Sequence, residues 1–143
     1  MKDDNIKAKL LSFGFTKLNV ERNVGEKLAE EIKSDIRIIE VDRAKIDLVK
    51  QEALKVNFEF EINYGKFGKV LIFGFFIIGF NPKVIKEILK LWKDKKLPAD
   101  VKTMLLNIIL QRSSLKALEL EEEIGLPLHM QMPRIRIEPA STK

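Results

Sequence analysis

The sequence predicts an α+β fold, a four-stranded antiparallel sheet run as a meander with helices packed on one face. Three observations carry this. The segment VNFEFEINY (Val56–Tyr64) alternates apolar and polar side chains, the pattern of a half-buried antiparallel strand. From Asn81 onward the apolar residues recur at helical spacing instead, as far as Gly125. The chain has 143 residues, 45% hydrophobic and 33% charged, long enough for one hydrophobic core and too apolar for disorder. Residues 1–143 therefore read as a single domain, with strands over about 11–80, helices over about 82–124 and an extended connector over 125–138.

In chain order, FGFTKLNVE supplies the first strand, and NVGEKLAEEIKS after it suits a loop or a short helical turn equally. DIRIIEVDRAKIDL alternates with a slip in phase: Ile36 and Ile38 share a face, then Ile39 and Val41 take it over, which predicts a β-bulge. A second slip at Ala44, Ile46 and Leu48 predicts that this strand bends or ends near Arg43. In the third strand Val56, Phe58, Phe60, Ile62 and Tyr64 point one way and Asn57, Glu59, Glu61 and Asn63 the other. Tyr64 to Gly68 has two glycines where a hairpin needs them.

The fourth strand is KVLIFGFFIIGFNP, eleven residues from Val70 to Phe80 without a polar side chain. A membrane helix needs about 20 apolar residues. This run is shorter, rich in Ile and Phe, and closed by Asn81 as N-cap and Pro82 at the first helical position. It reads as a strand apolar on both faces. One face can pack on the helices; the other needs a cover, most simply another copy of the chain. Phe73, Phe75 and Ile77 on one side and Ile72, Phe76 and Ile78 on the other are the candidate oligomer interface.

Val84, Ile85, Ile88, Leu89 and Trp92 stripe the first helix. After KDKKLPAD, a longer helix sets Val101, Met104, Leu105, Ile108, Ile109, Leu115 and Leu118 on its apolar face, with Gly125 as C-cap. Glu121, Glu122 and Glu123 crowd its C-terminal end, where the macrodipole disfavours negative charge. They read as a solvated run, or as a docking surface for a basic partner.

Much conventional chemistry is missing. Without cysteine there is no disulfide framework, thiolate metal site or cysteine nucleophile. His129 is the only histidine, too few for a zinc site of nitrogen ligands, and Ser113 and Ser114 sit mid-helix without a nucleophile elbow. No dinucleotide, Walker or metalloprotease motif occurs. The expectation is a non-catalytic protein with no cofactor and no metal. The opening MKDDNIKAKLL lacks the apolar region of a signal peptide, so a cytoplasmic location without membrane insertion is expected. Of the net charge of +5, most comes from residues 83–102, where seven lysines face only Glu87, Asp94 and Asp100. This region is a solvated helix face and loop, or a patch for nucleic acid or an acidic partner.

GLPLHMQMPRIRIEP (Gly125–Pro139) alternates Leu126, Leu128, Met130 and Met132 with Pro127, His129, Gln131 and Pro133, and proline keeps it extended. Methionine suits adaptable contacts, although such side chains equally suit a cover for sheet or helix.

Four strands, a long helix and then this G-L-P-L-x-M-x-M-P-x-I segment resemble the SecB family of protein-export chaperones. The resemblance rests on Gly125, Pro127, Leu128 and Pro133, the helix segment Ile108–Leu118 and the strands at 35–80, and spans roughly 11–138. It implies a non-catalytic homodimer or homotetramer holding unfolded or preprotein polypeptide in an apolar groove. Carried onto this chain, the groove comprises Leu126, Leu128, Met130, Met132 and Ile135. Val24, Leu28 and Ile32 would join it from the loop Asn23–Ser34, which crosses between the first two strands. The chain departs from the family in three ways: it has no second long helix after the connector, an extra helix over 82–97, and a basic charge. The last argues against delivery to the translocation motor, which in that family docks on an acidic sheet face.

Overall fold

The protein is described by a computed structural model covering residues 7–44 and 52–131. Four strands, β1 (Lys9–Arg22), β2 (Lys33–Ala44), β3 (Ala53–Asn63) and β4 (Gly68–Gly79), precede α1 (Pro82–Trp92) and α2 (Ala99–Ile124). In β3 the alternation is realised residue by residue: Val56, Phe58, Phe60 and Ile62, followed by Tyr64, are buried beneath the helices. Asn57, Glu59 and Glu61 occupy the opposite face, only partly covered.

The sheet is antiparallel throughout, but its order is β1-β4-β3-β2, which corrects the meander. Strands β2, β3 and β4 are neighbours in turn, whereas β1 pairs with the far side of β4. The most apolar strand thereby gains a partner on each edge. The β1–β2 connection must then cross the β3–β4 hairpin, and hydrogen bonds tie it there. Asn23 N–H donates to Phe67 O (2.8 Å), Asn23 Nδ2 to Lys66 O (2.8 Å) and Ala29 N–H to Tyr64 O (3.2 Å). The hairpin turn is a short 3-10 segment, Gly65–Phe67. Gly65 has φ 71°, and a Cβ there would lie 2.8 Å from that of Ala29, so glycine serves both the turn and the crossing.

The phase slip in β2 is a bulge: Ile38 pairs with Phe58 and Glu40 with Asn57, leaving Ile39 as the extra residue. The strand ends at Ala44; Ile46 and Leu48 lie outside the described residues.

The core lies between one sheet face and the two helices. Gly74 lets the sheet take bulk where two strands meet, since a Cβ there would come 2.6 Å from both the Phe58 ring and Gly14 O. Phe13, Phe58 and Phe76 cluster around it at centroid distances of 5.5–6.1 Å. Asn81 caps α1 by accepting from Lys83 N–H (2.9 Å), with Pro82 following, as the sequence requires. Val84, Ile85 and Ile88 are buried, and Trp92 donates its indole N–H to Glu40 Oε1 (2.7 Å) on β2.

The strand β4 divides cleanly. Val70, Ile72, Phe76 and Ile78 are buried under the helices, so Ile72, Phe76 and Ile78 belong to the core of the chain and not to an interface between copies. Leu71, Phe73, Phe75 and Ile77 lie on the other face, half-buried and without a covering element among the described residues.

Candidate functional site

Two apolar surfaces remain uncovered by the chain's own described residues. The first arises on α2. Its buried residues include Val101, Leu105, Ile109, Ser113, Ala117 and Glu121, a recurrence every fourth position. An α-helix turns about 400° in four residues, so such a stripe winds roughly 40° per step around the helix. By its C-terminal half the stripe has left the side expected from the N-terminal half. Leu115, expected inside, is 68% exposed, and Leu110 is also on the surface, while Leu118 is half-buried. Small Ser113, Ser114 and Ala117 take the inner positions and let α2 approach the aromatic-rich sheet.

Gly125 stops the helix in the left-handed region (φ 77°), with Leu126 N–H donating to Glu121 O (2.8 Å). The chain then folds back along α2. Leu126 is buried in the core, a correction to its place in the groove, because it closes over Gly68 at the sheet end. Leu128 (43% exposed) and Met130 (47%) point outward. His129 turns inward, so the alternation from 126 to 130 does not keep all its apolar residues on one side.

Glu121 makes this turn-in possible. It is completely buried, against the expectation of a solvated run, and its carboxylate accepts from Tyr64 OH, from His129 N–H (3.2 Å) and, at 3.0 Å, meets His129 Nδ1. One carboxylate thus joins the end of β3, the last turns of α2 and the connector. Burial and the adjacent Glu121 push the Tyr64 phenol well above its ordinary value, which keeps it a donor. His129 Nε2 is buried and has no partner among the described residues. The Phe60 ring meets the imidazole edge-on, 6.1 Å away.

Between the outer side of α2 and the folded-back segment lies a groove of about 560 Å³, walled by Leu110, Ser114, Leu115, Leu118, His129 and Met130. Leu128 lines a neighbouring hollow with Leu118, Leu126 and Pro127. The structure therefore brings Leu128 and Met130 together with leucines of α2 that sequence reasoning assigned to the core. Val24 is 92% exposed, Leu28 is exposed and Ile32 half-buried against the core; none of the three lines these hollows. Met132 and Ile135 lie outside the described residues.

The second surface is the open sheet face, where Leu71, Phe73, Phe75 and Ile77 form a stripe along β4. Lys17 Nζ stands 5.7 Å from the Phe73 centroid and Lys55 Nζ 5.2 Å from that of Phe75. Toward β2 the same face is charged: Arg37 binds Glu59 (Nε to Oε2, 2.8 Å) and Glu61 (Nη2 to Oε1, 2.9 Å), with Asp35 alongside. These carboxylates hold the guanidinium well above its usual range. Among the described residues no three His, Cys, Asp or Glu side chains gather as metal ligands, and no helix is long and apolar enough to cross a membrane.

No protein-family profile matches the chain, and no curated protein matches it. Among solved structures, it is similar to a SecB-like chaperone of Mycobacterium tuberculosis in complex with a ChAD peptide from the HigA1 antitoxin. The two share 10% identity over 92% of each chain, with a TM-score of 0.49. Likeness at that level assigns no function.

Proposed function

We propose that the chain is a non-catalytic holdase that binds unfolded polypeptide in the groove between α2 and the connector. The observation that carries this is the outward turn of Leu110, Leu115, Leu118 and Met130 around one concave, almost wholly apolar surface. Such surfaces on soluble chains mark sites of contact with other polypeptides. Flexible Leu and Met side chains suit clients of many sequences, since they repack around whatever enters. Turnover needs a positioned acid, base or nucleophile. The carboxylate of Glu121 is instead committed to internal partners, which supports a binding role over catalysis. The reading places the protein in the cytoplasm and leaves a link to protein export open to test with a preprotein client.

The experiment is suppression of aggregation of a chemically unfolded client by a stoichiometric excess of the protein. Unchanged light scattering would end the holdase reading. The double variant Leu128→Ser/Met130→Ser is expected to hold client less well with an unaltered circular dichroism spectrum, because both side chains are exposed.

Self-association belongs to the same proposal. Leu71, Phe73, Phe75 and Ile77 support a homodimer or homotetramer formed across the open sheet face. Solution mass distinguishes the two. A monodisperse monomer at micromolar concentration, or a Phe75→Lys variant with the mass of the parent, removes this interface.

A further inference from the structure

A cavity of about 830 Å³ lies apart from the groove, where β2 meets the α1–α2 turn. Its wall includes four consecutive residues of β2, Ile36 to Ile39. A strand turns successive side chains to opposite faces. A hollow touching four in a row therefore runs along the edge of the strand, where backbone N–H and C=O groups face outward. Strand β2 is an edge of the sheet, and its bulge at Ile39 interrupts the pairing with β3, which resumes at Glu40. Trp92, Leu97 and Leu106 form the apolar floor.

The rim is basic. Lys95, Lys96 and Lys102 line it, with no carboxylate among the lining residues. Lys96 and Lys102 form no ion pair among the described residues, whereas Lys95 Nζ stands 3.8 Å from Glu40 and 4.7 Å from the Trp92 centroid. The guanidinium of Arg37 is engaged by Glu59 and Glu61 and adds no free charge.

Lys95 also sits where its backbone is least comfortable. The turn after α1 is of Schellman type: Lys95 N–H donates to Trp92 O (2.8 Å) and Lys96 N–H to Leu91 O (3.1 Å). The residue at the left-handed position of that motif is usually glycine, yet here it is Lys95, with φ 58°. Strain of this kind is retained where the side chain has a task, and this one lies across Trp92 at the cavity.

We propose that the edge of β2 and the lysines around it form a second docking site, which takes an extended acidic segment of a partner polypeptide by strand addition. The exposed ladder supplies main-chain hydrogen bonds, the apolar floor takes alternate side chains, and Lys95, Lys96 and Lys102 meet carboxylates. The site shares no residue with the groove beside the connector and does not rest on the holdase reading. A nucleic acid fits less well. Trp92 is the only tryptophan, its ring lies under Lys95 and its N–H is held by Glu40, so one face and the N–H are already engaged and no row of aromatics is present for successive bases.

The test uses the full chain, with the emission of Trp92 and the anisotropy of a labelled peptide as readouts. The probe is an octapeptide alternating valine and glutamate. It is compared with its lysine counterpart, an acidic peptide carrying proline at alternate positions, and oligothymidylate. The acidic strand-forming peptide should bind, and Lys96→Glu/Lys102→Glu should weaken it by about tenfold or more through lost attraction and added repulsion. Lys95→Gly should weaken binding while raising the melting temperature by about 3 °C, since glycine relieves the backbone. That pairing keeps the proposal decidable even if the charge-reversed variant folds poorly. Failure of the acidic peptide to bind overturns the proposal, as does equal binding of the lysine or proline peptide. So does indifference to both variants, and tighter binding of oligothymidylate reassigns the surface to nucleic acid.

Discussion

The two halves of α2 use the same helical geometry to opposite ends. In the N-terminal half, Val101, Leu105 and Ile109 face the core while Lys102, Thr103 and Asn107 face outward. In the C-terminal half, Ser113, Ser114 and Glu121 are buried beside Ala117 and Leu120, while Leu115 is exposed. The first half largely obeys the rule that folds proteins, and the second breaks it at Ser113, Ser114, Leu115 and Glu121. Local violations of consistency tend to fall at functional or strained places. Here the break creates the groove, and the buried Glu121 holds the connector that forms its other wall.

Substitutions along the helix put this contrast at risk. The largest effect is expected at Leu105→Ala, which should cost about 3 kcal/mol through lost burial and a cavity. Chemical denaturation measures it, and client binding per folded molecule should not change. Glu121→Ala comes next, at about 2 kcal/mol, because Tyr64 OH and His129 Nδ1 lose their buried partner. Unlike Leu105→Ala, it should also raise proteolysis within residues 125–131. If connector protection is unaffected, Glu121 is not what holds that wall.

Tyr64→Phe is expected to cost about 1 kcal/mol at neutral pH for one lost hydrogen bond, and it carries a pH signature. The Tyr64 phenol is raised in the folded state, so the folded protein keeps a proton that the unfolded chain releases above pH of about 10. That contribution is present in full below the unfolded value and is lost as pH rises above it. Stability of the parent minus that of Tyr64→Phe should therefore shrink on the alkaline side. A constant difference up to pH 11 would rule out the coupling. The smallest effects fall on the second half itself. Ser113→Ala should be neutral or stabilising by about 0.5 kcal/mol, since the buried Ser113 Oγ has no hydrogen-bond partner among the described residues. Leu115→Ser should move stability by no more than about 0.5 kcal/mol yet reduce client holding. A drop comparable to that of Leu105→Ala would place Leu115 in the core after all.

What was legible in the sequence follows from this contrast. The alternation in β3, the capped start of α1 and the bulge at Ile39 are local patterns, and each is realised at its residues. The strand order is not local: nothing in the periodicity of β1 says that it crosses the hairpin to reach β4. A fixed helical face places Leu115 and Leu118 in the core, whereas the buried stripe of α2 recurs every fourth residue and winds away from them. The sequence offers Glu121 only a solvated or a partner-docking role, because its donors, Tyr64 and His129, come from other elements. Alternation along β4 puts Ile72, Phe76 and Ile78 on one face and Phe73, Phe75 and Ile77 on the other, but only the packing of α1 and α2 decides which of the two is covered.

The crossing of the β1–β2 connection over the hairpin also has a kinetic consequence. The pairs within β3–β4 join near neighbours in the chain, while β1–β4 pairing brings Lys9 to Gly79 and must await the hairpin it flanks. Long-range pairing is slow because loop closure precedes the contacts that reward it. The seam between β1 and β4 is thus expected to close last, leaving the edge of the most apolar strand briefly unpaired in each newly made chain. Pulse-labelled hydrogen exchange should find the amides of β3 and β4 protected before those of β1. Simultaneous protection would mean that the sheet assembles in one step.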